Sequence, residues 1–387
     1  MKNEIPKYLL KDIATITAGQ SPESKYYNTS GDGLPFFQGK ADFGPLYPEI
    51  KNYCSQPTKI AEKDDILLSV RAPVGPTNLA PCKVCIGRGL TAIRPNSSIC
   101  LKYLLYFFRY YEAQLQKSGT GTTFKAITQN VIKNIEVPVP DLTEQERIVS
   151  KIEELFSRLD ASVTELQTAK EKLKVYRQTV LYKAFQNLTD TITMDEVADM
   201  IDPQPSHRTP PEVSNGVPYV GVGDIDYSAR KINFAEARKV SSSVLQEHQE
   251  RYTIHKGDFI MGKIGTIGKP FMVPLPQNYT LSANVILIQP NYTKILPEFL
   301  YWQFSAPLVT QQLTVGAAAT SQPAFGIKKA RLLSIRICDI EQQRQITNEI
   351  EKSLSVCDSI EQTIDISLHQ AEALRQSILK RAFEGEL

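Results

Sequence analysis

The sequence predicts an α+β protein in which two mixed α/β globules alternate with two long helices. Three observations predict this fold class: an ungapped internal repeat, a seven-residue apolar period within each copy, and a common plan in the two intervening segments. They place a first globule at 1–140, a central helix at 141–187, a second globule at 188–338 and a C-terminal helix at 339–387. The 387 residues are 42% hydrophobic and 22% charged, which is enough apolar material for a core in each globule.

The internal repeat relates residues 141–185 to residues 339–383 at a constant offset of 198. Agreement is best at the far end, where residues 177–185 (RQTVLYKAF) match residues 375–383 (RQSILKRAF). The repeat predicts a pseudo-twofold arrangement of two similar helices.

Each copy of the repeat has the pattern of one long helix. Pro138 and Pro140 prevent an earlier start, and Thr143 with Glu146 is spaced as a capping box. Apolar residues recur every seven positions, with further apolar residues at intermediate sites: Ile152, Leu159, Leu166, Leu173 and Val180 with Leu155, Ala169 and Tyr176; then Ile350, Cys357, Ile364, Ala371 and Ile378 with Ile360 and Leu374. Such spacing is typical of a coiled-coil seam, so the two helices are expected to pair as an antiparallel coiled coil. The alternative is two amphipathic helices, each lying on its own globule.

The two globules share a skeleton but differ in their loops. Each contains an apolar strand that follows a Lys-x-Asp sequence, at 63–71 and 256–264, and a short strand that ends at Pro95 or Pro290. An aromatic-rich helix is expected next, at 101–116 and 296–313, followed by a small-residue loop at 118–123 and 316–321. This plan suits a protein that carries two different binding surfaces.

Composition and motifs exclude several classes of protein. Lys and Arg total 44 against 42 Asp and Glu, so a nucleic-acid site must be a local patch. No apolar run reaches membrane-span length and the first residues lack an apolar signal core, so a cytoplasmic protein with no membrane partner is expected. Residues 262–269 have the wrong spacing for a nucleotide-binding phosphate loop, which leaves a tight turn between strands or a close approach to a DNA phosphate.

No metal, cofactor or catalytic site is expected in this chain. Cys82 and Cys85, with Cys54 and Cys100, suggest zinc, but a second Cys pair is missing and the other globule has no Cys in the corresponding stretch. The four histidines are scattered, and neither a methyltransferase signature nor a nuclease motif is present.

Basic and amide side chains gather on the loops and strand ends of both globules. These DNA-contacting candidates are Gln38, Lys40, Arg71, Arg88, Thr122, Thr123 and Lys125 in the first globule, and Arg208, Lys263, Lys269, Gln322, Lys328 and Lys329 in the second. Such side chains suit phosphates and base edges, although each alone is more often solvated surface; their clustering at equivalent places of the two globules is what favours DNA. Arg71 and Lys263 follow the two Lys-x-Asp strands and are expected at equivalent places, with a one-residue shift.

Three motifs are specific enough to compare with known families: the Glu144-Gln145-x-x-Ile148 helix start, the loop of residues 119–125 (GTGTTFK) and residues 376–387 (QSILKRAFEGEL). Through these motifs and its two variable globules, the chain resembles, over essentially its whole length, the specificity subunit of type I restriction–modification systems. The second helix start, at 341–346 (EQQRQI), departs from this pattern by one residue.

The resemblance implies two target-recognition domains that read the halves of a split, asymmetric sequence in double-stranded DNA. It also implies that two methylation subunits dock on the helices, supply S-adenosylmethionine and methylate adenine N6, and that endonuclease/translocase subunits add cleavage. This chain would itself be non-catalytic. The docking candidates are Arg177, Gln178, Arg375 and Gln376, which could instead pair with carboxylates of the neighbouring helix. The competing function is a protein-interaction adaptor that binds no nucleic acid.

Overall fold

A computed structural model describes residues 5–118, 126–317 and 324–387. The α-helices are α1 (Leu10–Ile13), α2 (Leu101–Ser118), α3 (Gln129–Lys133), α4 (Leu142–Gln186), α5 (Met194–Val197), α6 (Ser242–Gln249), α7 (Pro297–Phe304), α8 (Pro307–Ala317), α9 (Ile327–Arg331) and α10 (Ile340–Phe383). Short 3-10 helices cover Ser24–Tyr26, Lys40–Asp42 and Val222–Asp224.

The strands are short and alternate with these helices. They are β1 (Lys7–Leu9), β2 (Ala14–Ala18), β3 (Tyr27–Asn28), β4 (Leu34–Phe37), β5 (Tyr53–Cys54), β6 (Ile60–Ala61), β7 (Ile66–Ser69), β8 (Thr77–Leu79), β9 (Val84–Ile86), β10 (Leu90–Pro95), β11 (Glu136–Pro138), β12 (Thr191–Thr193), β13 (Ala198–Ile201), β14 (Val217–Val220), β15 (Ile225–Asp226), β16 (Lys231–Ile232), β17 (Lys239–Val240), β18 (Phe259–Gly262), β19 (Pro270–Met272), β20 (Thr280–Leu281), β21 (Val285–Pro290) and β22 (Ser334–Arg336).

The chain divides into two compact units, both of mixed α/β structure. Unit 1 comprises residues 1–166 and 365–387, and unit 2 comprises residues 167–364. Each unit therefore contains one globule together with a half of α4 and a half of α10. The end of the chain belongs to the unit that contains its beginning.

Both units use the same sheet plan. Unit 1 has an antiparallel sheet of order β2-β10-β7-β8, and unit 2 has the matching order β13-β21-β18-β19. A second sheet in each unit contains a parallel pair, β4 with β9 and β14 with β20. A two-stranded ladder, β1 with β11 and β12 with β22, completes each plan. The common skeleton predicted from the sequence is present in both units.

The core of each unit includes both long helices. In unit 1, aromatic residues of α2 pack with Ile152 of α4 and with Leu379 and Phe383 of α10. In unit 2, Phe185 of α4 packs edge-on against Phe299, and Ile350 of α10 joins the same core. Burial of large apolar side chains at both contacts anchors the helix ends to the globules, because removing such surface from water is the main favourable term in folding.

The caps of the long helices differ from the predicted Thr143 and Glu146 box. Asp141 caps α4 by accepting a hydrogen bond from the backbone N–H of Glu144 (2.9 Å), and Asp339 caps α10 through Gln342 in the same way (2.9 Å). A carboxylate directly before the first turn satisfies a free N–H and opposes the positive end of the helix dipole. The helices therefore begin earlier than the box predicted.

A buried glutamine repeats in the first turn of each long helix. Gln145 accepts from the Cys100 N–H and donates to the carbonyls of Ser98 and Pro140. Gln343 makes the equivalent bonds with Leu296, Lys294 and Cys338. The Gln-x-x-Ile spacing is thus the same in both copies. The one-residue departure at the second helix is confined to the glutamate, because Gln342 stands where the first copy has Glu144 and Glu341 precedes it.

The seven-residue period is confirmed at all its principal positions in α10 and at Ile152, Leu159 and Leu173 in α4. Leu166 and Val180 of α4, and Leu155 at an intermediate site, are only half-buried. Ile350, Cys357, Ile364, Ala371 and Ile378 of α10 are all buried. Tyr176, Ile360 and Leu374 are about half exposed, and Ala169 is exposed. The predicted second seam position is therefore wrong over much of both helices. The aromatic-rich helix also differs in unit 2, where it divides into α7 and α8 because Pro307 lacks the N–H that continuation requires.

Among the described residues, none of the helices has the combination of length and apolarity that a membrane span needs.

Candidate DNA-binding site

Unit 1 contains a cleft of about 260 Å³ where predicted DNA-contacting residues converge. Its charged and amide lining consists of Gln38, Lys40, Arg71 and Arg88, all exposed. Gly39 and Gly89 lie between them. The structure thus brings together four candidates that are separated by up to 50 residues in the sequence.

These side chains lie next to the ends of strands from two sheets. Gln38 and Lys40 follow β4, Arg71 follows β7, and Arg88 precedes β10. The N–H of Gly87 donates to the Phe37 carbonyl (2.8 Å), which holds β4 beside the turn that carries Arg88. A Cβ at Gly89 would lie 2.3 Å from the Gln38 carbonyl oxygen, so only glycine permits this approach.

The lining of the cleft, within the part of the chain that the structure describes, contains three cationic side chains and no carboxylate. Among residues 5–118, 126–317 and 324–387, no carboxylate lies within ion-pair distance, 4.0 Å, of Lys40, Arg71 or Arg88. Three cations with exposed side chains around glycine-flanked backbone are suited to an anionic ligand such as a DNA phosphate, or to the acceptor edge of guanine.

The equivalent place in unit 2 is different. The Ala126 bridge to Arg71 corresponds to the Ala324 bridge to Ile264, and the Val70 and Lys263 N–H groups donate to Gly89 and Asn284, respectively. Lys263 therefore corresponds to Val70, and the predicted one-residue shift that paired it with Arg71 is wrong. Its ammonium group is buried and pairs with Asp202 at 2.8 Å. Lys263 thus anchors the segment after β13 and does not present a free cation at the surface.

Lys269 and Arg208 remain exposed in unit 2. The Lys269 ammonium lies 4.1 Å from the centroid of the Tyr227 ring, a cation–π contact, beside a cavity of about 480 Å³ that Tyr301 and Trp302 also line. Burial raises the pKa of Tyr227 to about 12, so this phenol stays neutral. Arg208 lies on a loop that Gln204 holds by donating to the Arg208 carbonyl. The predicted turn at residues 262–269 is confirmed as the connection between β18 and β19.

Four predicted candidates lie outside the described residues. They are Thr122, Thr123, Lys125 and Gln322.

Two of the four docking candidates are engaged inside their own unit. Arg177 pairs with Asp358 (2.7 Å) and Glu361 (3.0 Å), whereas Arg375 pairs with Asp160 and stacks on Phe156. Gln178 and Gln376 are exposed. The alternative expected from the sequence, pairing with carboxylates of the neighbouring helix, is thus confirmed for both arginines. The offset of 198 that relates the two arginines also relates their partners Asp160 and Asp358.

Three of the six cysteines, Cys54, Cys85 and Cys357, are buried, and the other three are partly exposed. Cys54 and Cys85 are buried together with Phe36, and burial raises the pKa of the Cys85 thiol to about 11. Within the described part of the chain, no three His, Cys, Asp or Glu side chains are arranged to hold a metal ion.

Known proteins resemble this chain along its length. The model of the type I restriction modification DNA specificity domain matches residues 3–172 and 190–370. The EcoBI type I restriction enzyme specificity subunit of Escherichia coli is 22% identical over 98% of this chain and 85% of its own length. A putative MjaX specificity subunit from Methanocaldococcus jannaschii is 40% identical over 41% of this chain, but the match spans only 38% of that relative.

One solved structure is similar to part of this chain. An HsdS subunit from Thermoanaerobacter tengcongensis is 44% identical over 42% of this chain and 39% of its own, with a TM-score of 0.39. The family model covers both globules and most of both long helices. This chain belongs to the type I restriction–modification DNA specificity family.

Proposed function

We propose that this chain recognises a bipartite, asymmetric sequence in double-stranded DNA, with one half read by each globule. The observation that carries the proposal is the cleft of Gln38, Lys40, Arg71 and Arg88. Cations of this kind bind DNA phosphates, and Arg and Gln side chains also read base edges in the major groove. The weak net charge of +2 is compatible with this, because the positive charge is local.

The two globules share a skeleton but present different side chains on their surfaces, so we expect them to read different half-sites. Unit 2 carries Ile264 where unit 1 carries Arg71. The exposed candidate cations of unit 2 come from other segments: Arg208 and Lys269 from loops, and Lys328 and Lys329 from α9. Two globules that present different chemistry at the same position would read different sequences, so the target as a whole would be asymmetric.

The long helices would pair as an antiparallel coiled coil with pseudo-twofold symmetry. Each unit supports this with one copy of the same ion pair: Arg375 with Asp160 in unit 1, and Arg177 with Asp358 in unit 2. The contacts within unit 1 also run in antiparallel order. Arg147, near the start of α4, contacts Leu387 at the end of the chain, and Asp160, later in α4, pairs with the earlier residue Arg375 of α10.

Two methylation subunits would dock on these helices, contribute S-adenosylmethionine and transfer its methyl group to adenine N6. Endonuclease/translocase subunits would add cleavage, and this chain would perform no reaction itself. Support comes from an exposed apolar strip in unit 2, formed by Tyr176, Val356 and Ile360, beside a groove of about 660 Å³ along α4 and α10. Exposed apolar groups clustered along a groove are typical of protein-binding surfaces.

The DNA proposal is tested with an Arg71→Ala/Arg88→Ala variant, purified with its methylation subunits and titrated with the mapped target at several salt concentrations. If both residues bind phosphates, the slope of log affinity against log salt falls by about two units. Lys83→Ala is the matched control, because it removes an exposed cation of the same globule that pairs with Glu62 outside the cleft. Unchanged affinity, salt slope and sequence preference in the double variant would contradict the proposal.

The docking proposal is tested by co-purification of a Tyr176→Glu/Ile360→Glu variant. Two charges on the apolar strip should reduce recovery of the methylation subunits, because burying an unpaired carboxylate is costly. Val315→Glu places a charge on an exposed apolar residue of α8 and serves as the control. A folded double variant that still brings down two methylation subunits would exclude this surface from docking.

A further inference from the structure

One surface position carries opposite chemistry in the two units. Arg71 and Ile264 each follow a buried strand, β7 or β18, and each forms an isolated bridge to an alanine, Ala126 or Ala324. The following turn is closed by the same hydrogen bond, from Gly75 to the Ser69 carbonyl and from Gly268 to the Gly262 carbonyl. The two side chains are therefore structurally equivalent, although one is a cation and the other is aliphatic.

The position of Arg88, beside Arg71 in the cleft, also changes from a cation in unit 1 to an apolar residue in unit 2. Gly87 donates to the Phe37 carbonyl and Ser282 to the Val220 carbonyl, which aligns Arg88 with Ala283. Both arginines of the cleft, Arg71 and Arg88, thus have apolar counterparts in unit 2, Ile264 and Ala283. The nearby cation of unit 2 does not compensate, because Lys263 is buried against Asp202. Ile264 itself is 42% exposed, so its methyl groups are accessible to a ligand.

These two chemistries match different base edges in the major groove. A guanidinium donates to O6 and N7 of guanine, whereas an aliphatic side chain contacts the C5-methyl group of thymine. We propose that Arg71 reads a guanine in one half-site and that Ile264 reads a thymine in the other through its methyl group. This inference rests on the proposed function, and it assigns a base class to one residue of each globule.

The test removes single functional groups from the DNA and shortens single side chains of the protein. The complex with its methylation subunits is titrated with duplexes of the mapped target, in which each thymine is replaced in turn by uracil and each guanine by 7-deazaguanine. Uracil lacks only the C5-methyl group, and 7-deazaguanine lacks the N7 acceptor. Loss of one buried methyl contact is expected to weaken binding about fourfold, and loss of the guanine N7 contact about fivefold.

Coupling between the two kinds of change decides the assignment. One thymine-to-uracil change in the half-site read by unit 2 should weaken the wild-type complex but leave Ile264→Ala unaffected, while Ile264→Val stays sensitive. One 7-deazaguanine change in the other half-site should weaken wild type but not Arg71→Ala. Leu275→Ala, at an exposed leucine of unit 2, should retain the full wild-type response to uracil.

The outcomes separate this inference from the proposed function. If the complex binds its target with salt-dependent affinity that depends on the cleft, but Ile264→Ala keeps the wild-type response to every uracil, the base assignment is wrong and the proposed function stands. If the Arg71→Ala complex still responds to every 7-deazaguanine, Arg71 does not read guanine. If the complex has no sequence preference at all, the proposed function itself fails.

Discussion

His248 is a buried hydrogen-bonding centre in unit 2. Its Nε2 lies 2.5 Å from the Gln204 Oε1, and its Nδ1 contacts the Thr280 hydroxyl. Gln204 uses its amide N–H groups on Ser206 and on the Arg208 carbonyl, so its oxygen is the acceptor and His248 donates from Nε2. A neutral imidazole therefore fits this site, and burial, reinforced by Arg251, lowers the pKa of His248.

Acid should destabilise unit 2 through this histidine. The unfolded chain takes up a proton near the ordinary pKa of 6.5, whereas the folded chain resists protonation until lower pH. The free energy of unfolding should therefore fall as pH drops below about 6.5, and should show no such contribution above it. Thermal unfolding between pH 5 and 8 measures this dependence. The His248→Gln variant should lose less stability per pH unit below about pH 6.5 than the wild type.

The exposed His369 provides the control, since His369→Gln removes a histidine without touching the buried network. If the His248→Gln variant loses as much stability per pH unit below about pH 6.5 as the wild type does, protonation of His248 does not govern stability. Because the same network holds the Arg208 loop, His248→Gln should also alter only the half-site that unit 2 reads.

At the scale of elements, the long helices combine an apolar seam with repeated ion pairs. Arg177 and Arg375 are less exposed than their acidic partners and hold specific carboxylates of the opposite helix. Surface ion pairs of this kind contribute only about 0–1 kcal/mol each to stability, so their main effect is to favour one register. A fixed register is what a spacer between two half-sites requires.

If α4 and α10 pair as proposed, the two helices should set the distance between the half-sites. One heptad inserted after Leu166 and another after Ile364 keep both apolar seams in frame, and seven residues at 1.5 Å add about 10.5 Å. The two half-site sequences should then stay the same, while the unspecified DNA between them lengthens by about three base pairs. Methylation mapping against a library of spacer lengths measures the change.

A single heptad in α4 alone is the matched control, because its seam then lacks matching positions on α10 and the complex should lose activity. A folded, active double-insertion variant that keeps the original spacer would show that the helices hold the globules without setting the distance between half-sites.

At the scale of the whole molecule, the two ends of the repeat anchor different units. Phe383 packs with Tyr103, Phe107 and Tyr110 in unit 1, and its repeat counterpart Phe185 packs with Phe299 in unit 2. Phe383→Ala should destabilise unit 1 by about 3 kcal/mol, through lost burial and the cavity that remains. Phe185→Ala should have a similar effect on unit 2.

Hydrogen exchange followed by peptide mass spectrometry distinguishes the two effects. Phe383→Ala should accelerate exchange in β2, β7 and β10, and Phe185→Ala in β13, β18 and β21, so each variant is the other's control. Both variants loosening the same unit would contradict the assignment of the C-terminal segment to unit 1.

Local patterns and the internal repeat were sufficient to predict much of this protein. The ungapped repeat, the seven-residue period and the Lys-x-Asp strands predicted two long helices and two globules of common plan, because burial imposes a period on the sequence itself. The basic loop residues of the first globule were also recognisable, since exposed cations near glycine are a property of local sequence.

Only the tertiary structure decided which of those residues are available and what they pair with. Lys263 is a basic residue by sequence, yet Asp202, 61 residues away, neutralises it in the interior, while Ile264 takes the surface position that Arg71 occupies in unit 1. The exposure of Tyr176 and Ile360, and the placement of residues 365–387 in the first unit, likewise depend on contacts between distant segments. A periodic pattern predicts that one face of a helix is apolar. It does not predict which surface covers that face or which charged residues form ion pairs, because these depend on contacts between segments that are distant in the sequence.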